Sequence, residues 1–152
     1  MRIKVSLLLL SLLTFMISAR ADGWLITPLE AHREAERMAD GLVFRGRSTP
    51  VPDAPKIVRV KPGDVAAVTS PFDIVFTFSP QDGAVIDPKS FRVLYGFFRM
   101  DITDRVAQQA NISVGGVTIS RANIPAGKHH LVLNVTDSKQ RTGEAEFEIE
   151  VK

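Results

Sequence analysis

The chain has 152 residues, 19 of them Lys or Arg and 17 Asp or Glu, and no cysteine. The lack of cysteine excludes disulfides, thiol nucleophiles, Cys-ligated zinc and a lipid-anchoring cysteine. Arg2, Lys4 and Arg20 fall within the first 21 positions, so the remainder is balanced to a net charge of −1, and neither a nucleic-acid-binding basic face nor a polybasic membrane patch is expected.

Met1–Lys4 is a short positive segment, and Val5–Ile17 is apolar except at Ser6, Ser11 and Thr14. Ala19 and Ala21 then place small residues where a signal peptidase reads them. This three-part pattern predicts a signal peptide over 1–21, cleaved before Asp22. The apolar run is shorter than the about 20 residues that span a bilayer, and no second run follows. No membrane insertion is therefore expected after cleavage. An exported chain without disulfides suits a bacterial periplasm or exterior. In that setting the sequons Asn111-Ile112-Ser113 and Asn134-Val135-Thr136 are chance matches.

An N-terminal helical extension is expected over 22–44. Thr27 can cap, Pro28 suits the first helical position, and Glu30 completes a capping box. Ala31, Ala35, Met38 and Leu42 form one apolar stripe, with His32, Arg33, Glu34, Glu36, Arg37 and Asp40 around it and Gly41 as a stop. A helix this short is marginal alone, so its stripe should pack on the main domain or on a partner. Residues 45–55 follow as a linker. The run from Arg45 to Lys56 (RGRSTPVPDAPK) has prolines at 50, 52 and 55, which remove backbone donors and favour extended structure. Arg45 and Arg47 solvate it or touch an acidic surface.

From Lys56 the hydrophobic period switches to two. Val58 and Val60 alternate with Arg59 and Lys61 in a first strand, and Phe72, Ile74, Phe76 and Phe78 line a second. Phe91, Val93, Tyr95 and Phe97 line a third. Two shorter strands fit within 111–114 and 116–120. Leu131, Leu133 and Val135 alternate with Val132, Asn134 and Thr136, and Ala145, Phe147, Ile149 and Val151 alternate with Glu144, Glu146, Glu148 and Glu150. Asp137–Gly143 joins these last two as a hairpin turn. The expected core bulk is Phe72, Phe76, Phe78, Phe91, Tyr95, Phe97 and Phe147. About seven strands with no helix long enough for a βαβ crossover predict an all-β sandwich over 56–152.

Ser70–Phe78 (SPFDIVFTF) with Pro80–Ser90 (PQDGAVIDPKS) resembles the opening strands of bacterial immunoglobulin-like (Ig-like) domains. Ile124–Ser138 (IPAGKHHLVLNVTDS) resembles their closing hairpin. The resemblance covers 56–152 and implies a seven-stranded Ig-like Greek-key sandwich. It implies little about function, because such modules serve as spacers, adhesins, chaperone-like binders and enzyme appendages. The paired cysteines and mid-strand tryptophan of antibody-type domains are absent, and 98–112 matches least well. The order of features is also similar to small periplasmic copper-binding β-sandwiches of the copper-resistance type. That family implies histidines at the mature N-terminus and in the last hairpin. Here Asp22-Gly23-Trp24 and Asp137-Ser138-Lys139 stand at those places, so the ligands are missing.

No nucleophile elbow, zinc-protease motif or phosphate-cradling glycine loop is present, and an enzyme is not expected. His129 and His130 are adjacent, so on a strand they face opposite ways. Asp101 and Asp104 are the metal candidates, as calcium oxygens or as turn-stabilising carboxylates. The glutamate row at 144–150 reads as a solvated strand face that discourages edge pairing. Trp24, Phe98 and Arg99 are the candidate partner contacts, because an outward aromatic beside an arginine has hot-spot composition. Phe98 equally fits beneath the N-terminal helix, and Trp24 equally fits as an anchor. The chain thus reads as a binding or structural module of the bacterial cell envelope, with no cofactor and an unidentified protein partner. The other class is a periplasmic carrier of a small ligand or metal ion (Ca or Cu). Mass analysis of exported protein is expected to show Asp22 as the first residue, and retention of residues 1–21 would contradict the signal assignment.

Overall fold

A computed structural model describes residues 23–41, 51–64 and 67–152. The signal segment, its cleavage site, Leu42, Arg45, Arg47 and Pro50 lie outside the described residues. In chain order the elements are α1 (Pro28–Ala39), β1 (Lys56–Lys61), β2 (Phe72–Ser79), β3 (Ile86–Tyr95), β4 (Met100–Asp101), α2 (Thr103–Ala107), β5 (Ala110–Ser113), β6 (Gly116–Ala122), β7 (Gly127–Asp137) and β8 (Thr142–Val151). They form two four-stranded sheets, ordered β1-β2-β6-β5 and β4-β3-β7-β8, and every strand pair is antiparallel. The described residues thus hold eight strands rather than seven. The addition is the two-residue β4, too short to show a period of its own.

The core lies between the sheets. Ile74, Phe76 and Phe78 of β2 and Val117 and Ile119 of β6 face Phe91, Val93 and Tyr95 of β3 and Leu131, Leu133 and Val135 of β7. Phe76 and Phe147 pack at 4.6 Å between ring centroids, and Phe78 and Phe91 at 6.1 Å. Each large side chain fully buried in this way contributes about 1.5–3 kcal/mol. The alternations of β2, β7 and β8 place the expected residues inward. Ala145 and Phe147 remain half-buried because β8 is an edge strand.

Three sequence expectations need correction. In β1 the inward residues are Ile57 and Arg59, while Val58 and Val60 are 49% and 48% exposed. Register decides this: Ile57 lies opposite Phe78 and Arg59 opposite Phe76, and opposed residues share a face. Arg59 serves there by donating to the Glu148 carbonyl at 2.8 Å across the seam between the sheets. Phe97 is not a strand residue, because β3 ends at Tyr95 and Gly96–Arg99 form a turn into β4. Val132, on the outward register of β7, is nevertheless buried. It sits between Leu94 and Glu146, where Arg99 reaches Glu144 at 2.7 Å and Glu146 at 3.7 Å.

The β7–β8 turn is held by charge. Asp137 is 1% exposed, and its carboxylate accepts from the Lys139 amide (2.8 Å), the Arg141 amide (3.1 Å) and Arg141 Nε (2.9 Å). Burial raises this carboxyl, and the Arg141 and Lys139 donors outweigh that effect and hold it below the usual range. Arg141 and Lys139 also reach Asp82 and Gln81, tying the β2–β3 loop to the turn.

The β1 register makes a direct prediction. Ile57→Ala is expected to cost about 2–3 kcal/mol, toward the low end for a buried aliphatic because the strand is at an edge. Val58→Ala is expected to stay within about 0.5 kcal/mol. Denaturant titrations in which Val58→Ala is the costlier change would reverse the assignment.

Candidate functional site

The N-terminal segment closes one end of the sandwich. Leu25 and Ile26 insert into the core, and the Leu25 amide donates to the Asn123 carbonyl at 3.0 Å. The helix then starts as its capping box requires. The Glu30 amide donates to Thr27 Oγ1 at 3.3 Å, and the Thr27 amide donates to Glu30 Oε2 at 2.8 Å. Gly41, at φ +78°, lies just past the helix end, with its amide on the Met38 carbonyl. Arg105 of α2 grips Glu30 with two nitrogens, at 2.8 and 3.1 Å, and also donates to the Leu25 carbonyl at 3.0 Å. Burial pushes the Glu30 carboxyl up, but Arg105 and the Thr27 donors prevail and hold it low.

The face that α1 turns inward differs from the alanine-rich stripe. Ala31 and Met38 are half-buried, but Ala35 is exposed and Glu34 is buried. Glu34 takes the inner position because the Phe97 amide points to both of its carboxylate oxygens, at 3.0 and 3.1 Å. Alanines have too little apolar area to override a charge-assisted hydrogen bond of that kind. Gly96 makes room for it. Its φ is +70°, and a Cβ there would lie 2.5 Å from a Glu34 oxygen.

Behind Glu34 the interior holds a polar pair. Tyr95 Oη is 3.1 Å from His129 Nδ1, and His129 Nε2 is 2.8 Å from the Pro125 carbonyl. A carbonyl only accepts, so Nε2 carries the proton and Nδ1 accepts from the tyrosine. Burial, reinforced by the Glu34 and Glu30 carboxylates, raises the Tyr95 hydroxyl far above its ordinary range. Burial also lowers the His129 imidazole, against the Pro125 bond and Glu34. His130 points the opposite way and lies 3.0 Å from Glu148 on the outer face.

The candidate contact residues separate. Phe98, on the Gly96–Arg99 turn, is 68% exposed, and the Arg37 guanidinium lies 3.8 Å over its ring. Arg99, though adjacent, turns to Glu144 and Glu146 instead. Trp24 is half-buried and bridges to Asn123. Around Phe98 a cleft of about 140 Å³ is lined by Glu30, Arg33, Glu34, Arg37, Tyr95 and Met100. The sequence pattern did not single out Arg33, Arg37 or Met100, because a charged helix face and a lone methionine carry no periodic signal. His129 was readable, since it shares the inward register of Leu131, Leu133 and Val135.

Asp101 accepts from the Thr103 amide at 2.8 Å, and the Thr103 donors hold its carboxyl below the usual range. Asp104 is exposed in the first turn of α2. Among the described residues, no three His, Cys, Asp or Glu gather as a metal site would require. The apolar void inside the core is about 30 Å³, room for about one water and far below an ordinary ligand pocket. A larger groove of about 570 Å³ follows the seam between β1 and β8, where residues 51–55 run beside Gly143. Among the described residues, no helix is long and apolar enough to cross a membrane. No protein-family model and no curated protein matches the chain.

The buried imidazole sets a pH dependence. Its folded pKa lies below the ordinary value near 6.5, so its contribution to stability is complete above that pH. As pH falls below it, the unfolded chain takes up a proton that the folded chain resists, and stability declines until the folded pKa is passed. Melts between pH 7 and 5 are expected to show this decline, and His129→Gln is expected to flatten it. A wild-type profile as flat as the variant's would contradict the buried neutral imidazole.

Proposed function

We propose that the chain is an exported, Ig-like β-sandwich with Greek-key connections, acting in the bacterial cell envelope by binding a protein partner rather than by catalysis. The observation that carries this reading is Phe98, an aromatic side chain left 68% exposed with the Arg37 guanidinium 3.8 Å over its ring. Rigid aromatic surface beside arginine is the composition of binding hot spots, because little side-chain entropy remains to be lost on contact. Met100, 39% exposed, extends the apolar area. In this reading Arg99 holds the turn through Glu144 and Glu146, and Trp24 anchors the N-terminal segment.

The test is a photo-crosslinking amino acid placed at Phe98 in the full chain and, as a control, at Val85, which is also exposed. A discrete protein adduct from position 98 and none from position 85 is the expected outcome. Absence of an adduct at 98, or the same adducts at both positions, would overturn the reading.

A further inference from the structure

The cleft beside Phe98 holds two carboxylates and two guanidiniums that are unequally partnered. Its two carboxylates are already engaged, Glu30 by Thr27 and Arg105, and Glu34 by the Phe97 amide. Its two guanidiniums have no carboxylate partner among the described residues. Neither Arg33 nor Arg37 forms an ion pair with a described residue, and nearby Glu36 lies 3.8 Å from His32. The two arginines stand four residues apart on α1, so they are neighbours on the helix surface and repel one another. An anion between them removes that cost.

Arg37 is also placed for this. Its guanidinium carbon lies 3.8 Å over the centroid of the Phe98 ring, and none of its N–H donors is taken up by a carboxylate among the described residues. A guanidinium fork matches a carboxylate in two-point geometry, and the contact with Phe98 limits the side chain's freedom before any ligand arrives. Phe98 and Met100 beside it offer apolar contact within the same short reach. Charge and apolar surface together fit a polypeptide better than a free inorganic anion, which has no apolar part to place there.

We infer that the Arg33–Arg37–Phe98–Met100 cleft receives an acidic protein segment, one carboxylate lying between the two guanidiniums and a neighbouring apolar side chain lying on Phe98 and Met100. This rests on the partner-binding reading above and adds the chemistry of the partner. Fluorescence anisotropy with a short labelled peptide that alternates glutamate and phenylalanine tests it on the full chain. The control is the same peptide with glutamine for glutamate. The acidic peptide is expected to bind at least about tenfold tighter than the control, and to weaken between about 0.1 and about 0.5 M salt. Arg33→Gln, which leaves the Phe98 stack untouched, and the double variant Arg33→Gln/Arg37→Gln are each expected to lose affinity at an unchanged far-ultraviolet circular dichroism spectrum.

Equal binding of the two peptides, no binding of either, or wild-type affinity in both arginine variants would overturn the inference. Arginine-dependent binding to vesicles containing phosphatidylglycerol, without peptide binding, would overturn it in favour of a lipid headgroup. If position 98 still crosslinks a partner while the acidic peptide fails, only the charge assignment falls. If both fail, the partner-binding reading falls with it.

Discussion

A two-layer sandwich leaves backbone amides unpaired where its strands turn, and here the amide of Phe97 sits at such a place. Left buried without an acceptor it would cost about 1–3 kcal/mol. Glu34 supplies that acceptor from outside the sheets, with both oxygens in reach. The rest of the N-terminal segment follows from the need to hold that carboxylate still. Leu25 and Ile26 anchor the chain in the core, the capping box sets the helix start, and Arg105 fixes its first turn to α2. With α1 in place, Tyr95 and His129 are buried, and the tyrosine hydroxyl is partnered by the imidazole, whose other nitrogen meets the Pro125 carbonyl.

The far end of β7 solves the same problem with its own chain. Asp137 gathers the amides of Lys139 and Arg141 as Glu34 gathers that of Phe97. The difference is the counter-charge. Arg141 sits directly on Asp137 and carries on to Asp82, so that end of the fold is neutralised internally. At the α1 end, Arg105 neutralises Glu30, Arg37 lies over Phe98, and Arg33 lines the same cleft. One end is therefore a closed structural network, and the other presents cationic and aromatic surface.

The sheet edges are also managed by polar groups. Among the described strands β8 pairs with β7 alone, and its outer carbonyls would template another chain. Arg59 takes the Glu148 carbonyl, Val68 takes that of Glu150, and the Lys152 amide returns to Val68. The glutamates that alternate along β8 add like charge to the same edge. Two of them are also held in place by Arg99, which reaches over β7 and covers Val132.

Alternation in β2, β7 and β8, the capping box at Thr27 and the Asp137–Gly143 turn were all readable from residue order, because each depends on residues close together in the chain. That was enough for a β-sandwich with a capped N-terminal helix, and for His129 and His130 facing opposite ways. The inward register of β1 was not readable: both of its phases carry an aliphatic residue, and only pairing with Phe76 and Phe78 selects between them. The same limit applies to the candidate surface. Phe98 stood out as an aromatic beyond the end of an alternation, but Arg33 and Arg37 came from a helix whose docked face is chosen by Glu34. Residue order alone determined where α1, β2, β7 and β8 form, through local period and capping. Tertiary structure alone decided which helix face is buried and which arginine meets Phe98, because those choices turn on one amide more than sixty residues away from its acceptor.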